Sequence, residues 1–294
     1  MQKSTLAKAI SMAITGVALS AGGVTSASAG TTMYNTYTTT LSTNTDGWVR
    51  WEGTPDSGPP TGGNSGQITP WVGTSGSSPS TVLPFNYIGS SHLNWAVELT
   101  GRGDTAVISS ADAVARYGFT AEIDTGGGAW LDNSVPPTGW RHQTDIGLIK
   151  SDVSQYVRIN LSTVNGLYST FGVTLFSSQD TNTAAYSHHG AWNRPSTGLD
   201  FNLSNPFGTI GLTNLGWSDF VDSDRQFVFR ADAGSVYSLY LGGVGFSRWN
   251  AGVDGYVVNI ITTDVPEPGT LGLFASAATG YWLTRRRKPK AALI

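Results

Sequence analysis

Between residues 93 and 263 the chain repeatedly gathers Val, Ile, Phe, Tyr and Thr into runs too short for helices, and breaks most of them with Gly, Asn or Asp. β-Branched and aromatic side chains suit a pleated surface, and the breakers suit tight turns. Nine such runs occur, at 93–99, 105–109, 119–124, 146–150, 157–164, 171–177, 226–230, 236–241 and 255–263. The spacing predicts an all-β fold, an antiparallel β-sandwich or jelly roll with long Gly/Pro/Ser loops. Helical patterns are rare: one over 111–117 with Ser110 as N-cap, and a second, shorter one over 152–156. From Phe229 to Thr263, an Ala233-Gly234 turn, a Tyr-rich strand, Gly242-Gly243 and a last strand opening near Tyr256 predict a closing hairpin.

Ten Trp, eleven Tyr and eleven Phe in 294 residues supply a core, and there is no cysteine. Disulfides, thiol nucleophiles and thiolate metal sites are therefore excluded, leaving oxygen and imidazole as the main metal ligands. Between Gly30 and Asp264 ten basic residues face nineteen acids, a net charge of −9. Such a domain repels phosphate backbones, so nucleic acid is not an expected partner. Residues 53–84 hold 24 Gly, Pro, Ser or Thr in 32 positions. That composition predicts a long surface loop or linker, interrupted at Trp71-Val72, inside one domain spanning 30–264.

Both ends read as addresses. Lys3 and Lys8 precede an alanine-rich apolar run that closes at Ala27-Ser28-Ala29. This is the layout of a signal peptide over residues 1–29, which signal peptidase would cut before Gly30. At the other end, Pro266-Glu267-Pro268 is followed by an uncharged stretch at 270–284 and then by Arg285-Arg286-Arg287-Lys288. Fifteen helical residues reach about 22 Å against a hydrocarbon core of ~30 Å, which makes a short transmembrane helix with a basic stop signal on its cytoplasmic side.

Pro266, Glu267 and Pro268, the short apolar segment and the Arg285, Arg286 and Arg287 cluster resemble the PEP-CTERM sorting signal of Gram-negative bacteria, over residues 265–294. The resemblance implies recognition by a membrane-embedded exosortase after export and transient anchoring in the inner membrane. The domain would then be delivered to the cell surface or extracellular matrix, commonly alongside exopolysaccharide.

Within the domain, each candidate site is incomplete. Glu122-Ile123-Asp124 resembles the Glu-x-Asp-x-x-Glu site of retaining jelly-roll glucanases, but Gly127 occupies the position of the second carboxylate that this chemistry requires. Asp124-Thr125-Gly126 imitates an aspartic-protease triplet whose mate would be Asp56-Ser57-Gly58, in the Gly/Pro-rich stretch. Asp219, Asp222 and Asp224 offer oxygens to calcium from a loop after Trp217, without EF-hand spacing. No phosphate loop, GxSxG elbow or HExxH helix occurs.

The four histidines lie beside tryptophans: His92 near Trp95, His142 near Trp140, and His188 and His189 near Trp192. Converging imidazoles can hold copper or zinc. The pattern loosely resembles exported copper-binding surface proteins of methane-oxidising bacteria, which implies copper as the cofactor. In Trp48-Val49-Arg50-Trp51, strand geometry puts the indoles on opposite faces, Trp51 toward a core and Trp48 free to stack on a sugar. The expectation is a non-catalytic exported surface or matrix protein in contact with exopolysaccharide. A surface copper-binding protein and a carbohydrate-acting enzyme are the alternatives.

Overall fold

The computed structural model describes residues 30–36, 71–75, 80, 82–89, 93–121, 123–130, 139–140, 144–167, 170–181, 191–192, 211–244 and 253–265. The strands are β1 (Thr31–Asn35), β2 (Trp71–Val72), β3 (Trp95–Leu99), β4 (Thr105–Ile108), β5 (Asp124–Gly126), β6 (Gly139–Trp140) and β7 (Asp145–Ser151). They continue as β8 (Gln155–Thr163), β9 (Phe171–Ser177), β10 (Ala191–Trp192), β11 (Thr213–Val221), β12 (Phe227–Ala231), β13 (Ser235–Gly243) and β14 (Val253–Asp264), with one α-helix, α1 (Ser110–Tyr117).

Two sheets carry the fold. One runs β11-β9-β13-β7-β3-β1-β2; the other runs β12-β8-β14-β4, with β5 also on β14; β6 and β10 form a separate pair. The sandwich expected from the strand spacing is therefore present. Among the described pairings all are antiparallel except β3 with β7, which is parallel. Parallel neighbours need a long crossover, and the chain supplies one by visiting β4, α1, β5 and β6 between them.

Inward of its edge strand β11, the seven-stranded sheet is buried on both faces. Trp95, Val97, Leu99, Ile149, Val173, Leu175, Leu239 and Leu241 meet Ile108, Val157, Ile159, Leu161, Tyr256, Val258 and Ile260 of the other sheet. On the reverse face Met33, Ala96, Leu148, Phe176 and Tyr240 are covered by Trp71, Tyr87, Leu93, Trp130 and Leu212. This double burial is why runs such as Phe171–Ser177 are apolar without alternation. It also shows what Trp71 and Val72 do inside the Gly/Pro/Ser-rich stretch: they form a fully buried strand on β1.

Glycines make room for the largest side chains. Gly172 and Gly242 are cross-strand partners; the Trp130 ring lies so close to Gly172 that a Cβ there would stand 1.7 Å from its Cγ, and a Cβ on Gly242 would stand 2.6 Å from the Cβ of Ala129. Gly242-Gly243 is thus the end of β13 rather than a turn. The expected closing hairpin is absent for a related reason. β13 pairs with β7 and β9 while β14 pairs with β8 and β4, so the two strands belong to different sheets. The Ala233-Gly234 link, with Gly234 at φ 76°, carries the chain from one sheet to the other.

The expected helix at 111–117 exists as α1, one residue longer, and its N-cap is Ser109, whose hydroxyl accepts the Asp112 N–H at 3.0 Å. Asp112 ties the helix to β1 by accepting from Tyr34 Oη at 2.6 Å and Thr32 Oγ1 at 3.0 Å. The helix expected over 152–156 does not form. There Ser151 Oγ donates to the Val153 carbonyl at 2.7 Å and Gln155 Nε2 to Ser151 Oγ at 2.9 Å, closing a turn that launches β8. Local side-chain bonding of this kind competes with helix. β1 and β11 gave no clear sequence signal, since β1 is short and partly polar and β11 carries two register shifts that break the period of two.

Between the sheets, Tyr256 Oη donates to Asp145 Oδ2 at 2.7 Å and accepts from Trp95 Nε1 at 3.0 Å. Burial, and then the Asp145 charge, pushes the Tyr256 phenol well above its ordinary value. Burial and the Asp112 hydrogen bond push Tyr34 up likewise.

Two tests follow from this packing. Gly172→Ala should destabilise the domain by about 2–3 kcal/mol through overpacking against Trp130, read as a lower urea midpoint at unchanged slope. Both phenols stay protonated in the fold but ionise near pH 10 when unfolded, so their contribution is intact below pH ~10 and declines above it. Stability should fall by up to about 1.4 kcal/mol per pH unit for each phenol above that point. Tyr34→Phe with Tyr256→Phe should flatten the decline in denaturation curves recorded from pH 8 to 11.

Candidate functional site

An open groove of about 690 Å³ lies among the described residues at the end of the sandwich where β9 and β12 finish and β13 begins. Its walls include Asn86, Ser178, Gln179, Leu215, Arg230 and Asp232. Three non-glycine residues have positive φ here: Phe85 at 52°, Asn86 at 56° and Ser178 at 72°. Asn86 and Ser178 line the groove and Phe85 adjoins it. Left-handed backbone costs about 1–2 kcal/mol per residue and persists only where surroundings fix it. Here Gln179 Nε2 donates to the Phe85 carbonyl at 3.2 Å, Ser238 Oγ to the Ser178 carbonyl at 2.8 Å, and Ser178 N–H to the Val236 carbonyl at 2.8 Å. The strained backbone is thus locked into one shape beside the cavity.

The polar groups on this wall are of mixed sign. Arg230 Nε stands 3.4 Å from Asp232 Oδ1, with both side chains more than half exposed. Leu215 continues the groove onto β11, an edge strand, where Trp217 and Phe220 follow. Leu215, Trp217 and Phe220 are 51%, 39% and 58% exposed, an unusual concentration of apolar side chains at a sheet edge. Trp217 pairs opposite Thr174, on the outer face of the sheet. The register shifts after Asn214 and Ser218 interrupt the ladder, as bulges do at edges that present side chains rather than pairing with another strand. From Leu215 to Phe220 the strand covers about 17 Å at ~3.4 Å per residue.

At the candidate calcium loop Arg225 pairs with an acid. Asp219 lies within β11 and is buried. Asp222 accepts from the Asp224 and Arg225 N–H groups at 2.9 and 2.7 Å and from Arg225 Nε at 2.8 Å. Arg225 holds the Asp222 carboxyl below its usual range and lies 5.6 Å from the Phe220 ring. The carboxylate oxygens are spent on a tight turn. Among the described residues no group of three or more His, Asp or Glu is arranged to hold a metal.

Most sequence-predicted site residues lie outside the described residues: His92, His142, His188, His189, Trp48, Trp51, Glu122, Asp56, Ala27, Ala29, Pro266, Glu267, Pro268, Arg285, Arg286 and Arg287, and with them the 270–284 segment. Their neighbours are described. Trp95 is a core residue bonded to Tyr256. β6 and β10 pair with Trp140 opposite Ala191 and Gly139 opposite Trp192. Asp124 opens β5 opposite Gly255, and Gly30 is buried with its N–H donating to the Thr105 carbonyl at 2.8 Å. At the other terminus, β14 is paired through Asp264 opposite Gln155, and Ala231 is opposite the same Gln155. The chain therefore leaves the fold two strands, about 10 Å, from Asp232 and the groove.

None of the curated proteins matches the chain. Among solved structures, it is similar to PliG of Aeromonas hydrophila, a periplasmic inhibitor of g-type lysozyme, at 8% identity and a TM-score of 0.27, covering 57% of this chain and 97% of that one. It is also similar to CorA, a surface-associated copper-binding protein important in copper acquisition by Methylomicrobium album BG8, at 11% identity and a TM-score of 0.31, covering 56% and 96%. Likeness at this level reaches neither site nor ligand. The tail is more definite. Residues 264–288 match the PEP-CTERM protein-sorting motif, which marks the chain as an exosortase-sorted exported surface protein.

Proposed function

We propose that the exported domain is a non-catalytic binding protein of the cell surface or matrix, and that it holds exopolysaccharide along the groove and the adjoining face of β11. The observation that carries this reading is the continuity of a rigid, mixed-polarity cavity with the Leu215, Trp217 and Phe220 track. Sugar hydroxyls both donate and accept, which suits the amides of Asn86 and Gln179 and the Arg230–Asp232 pair. The apolar faces of pyranose rings suit an exposed indole. A track of ~17 Å fits a short run of linked sugars better than a single one. The domain's net charge of −9 favours a neutral glycan over a polyanionic one.

Trp217→Ala and Arg230→Ala should each weaken binding of the host's exopolysaccharide about tenfold, or roughly 1.4 kcal/mol, with the unfolding midpoint unchanged. Isothermal titration of the purified domain measures this. Wild-type affinity in both variants would contradict the assignment.

A second reading, surface copper binding, is favoured by the β6–β10 register. His142 follows Trp140 by two residues, His189 precedes Ala191 by two, and Trp140 is paired with Ala191. His92 precedes by two residues Asn94, whose N–H donates to the Ile146 carbonyl at 2.9 Å. On this reading, native mass spectrometry of the domain after incubation with Cu(II) and desalting should show one retained copper, lost in His142→Ala. A metal-free wild-type spectrum would exclude it.

A further inference from the structure

The sorting tripeptide begins almost where the fold ends. β14 is an inner strand of its sheet, paired on one side with β8 through Asp264 opposite Gln155 and on the other with β4 from Val258 to Ile261. Near its end, Thr262 donates its N–H and its hydroxyl to the Asp104 carbonyl at 2.9 and 3.1 Å. Arg102 Nε stands 3.7 Å from Asp264 Oδ1. Only Val265 separates this ladder from Pro266. Proline has no N–H to donate, so it stops the strand, and it holds the residue before it extended.

Five residues, 265–269, lie between Asp264 and the uncharged segment that starts at Thr270. Fully extended they span at most about 18 Å. A protease takes its substrate as an extended segment with several residues on either side of the recognised site. On the N-terminal side those residues are Thr262, Thr263 and Asp264, already hydrogen-bonded within the sheet.

We infer that the folded domain obstructs its own processing: exosortase gains full access to the Pro-Glu-Pro segment only when the last residues of β14 are free of β8 and of Asp104. This deepens the exosortase reading and rests on it. Completion of the sheet and cutting at the junction compete for one segment of chain, so stability at the end of β14 sets the processing rate. The contacts concerned are local, and their loosening does not require the rest of the sandwich to open.

The experiment is a pulse-chase in the native host that follows conversion of the membrane-held precursor to the released domain. Inserting Gly-Ser-Gly-Ser between Asp264 and Val265 should accelerate conversion several-fold. Thr262→Val, which deletes one hydrogen bond at the strand end without moving the motif, should accelerate it less but in the same direction. Glu267→Ala should block conversion. An insertion variant processed at the wild-type rate or slower, with Glu267→Ala still blocked, would overturn this inference and leave exosortase sorting intact. Equal conversion of the wild type and Glu267→Ala would overturn the sorting reading and this inference with it.

Discussion

The domain has no covalent cross-link, so its stability rests on one sheet with packing on both sides. The flat seats for Trp95 and Trp130 make that packing geometrically feasible. Trp95 lies over Gly147, where a Cβ would come within 2.1 Å of the ring, and Trp130 lies over Gly172. Indoles so placed fill the space between layers that smaller side chains would leave open, and native packing density demands that it be filled. The buried Trp95–Tyr256–Asp145 chain then joins the two sheets with hydrogen bonds. Polar atoms at such depth are tolerable because they are partnered.

This core gives the molecule two unlike ends. At one, β9 and β12 finish, β13 begins and β14 leaves the fold, so the groove and the sorting signal are near neighbours. At the other, β3 and β7 begin, with Asn94 bonded to Ile146.

Much of the architecture was legible in residues. Val157–Leu161 and Val258–Ile260 read as strands because they combine β-branched chemistry with short length, and Phe171–Ser177 was bounded to the residue. The closing hairpin misled, since an Ala-Gly link turns the chain equally well within a sheet or between sheets, and local chemistry does not encode which. β11 was overlooked because its bulges disrupt alternation and its Asp219, Asp222 and Asp224 read as a loop after Trp217. The groove was not legible at all. It is assembled from Asn86, Gln179, Leu215 and Arg230, far apart in sequence, and its most telling sign, positive φ at Phe85, Asn86 and Ser178, leaves no mark in composition. The sorting motif was fully legible because it is contiguous.

The central claim is that residues 30–264 form a free-standing β-sandwich that leaves the cell after losing both terminal segments. Intact mass measurement of the protein recovered from the cell surface and culture medium of its host tests this most directly. The account predicts one species beginning at Gly30 and ending near Pro266-Glu267-Pro268, without the Arg285–Arg287 cluster. A full-length chain of 31.0 kDa recovered from the cytosol, with both ends in place, would contradict it.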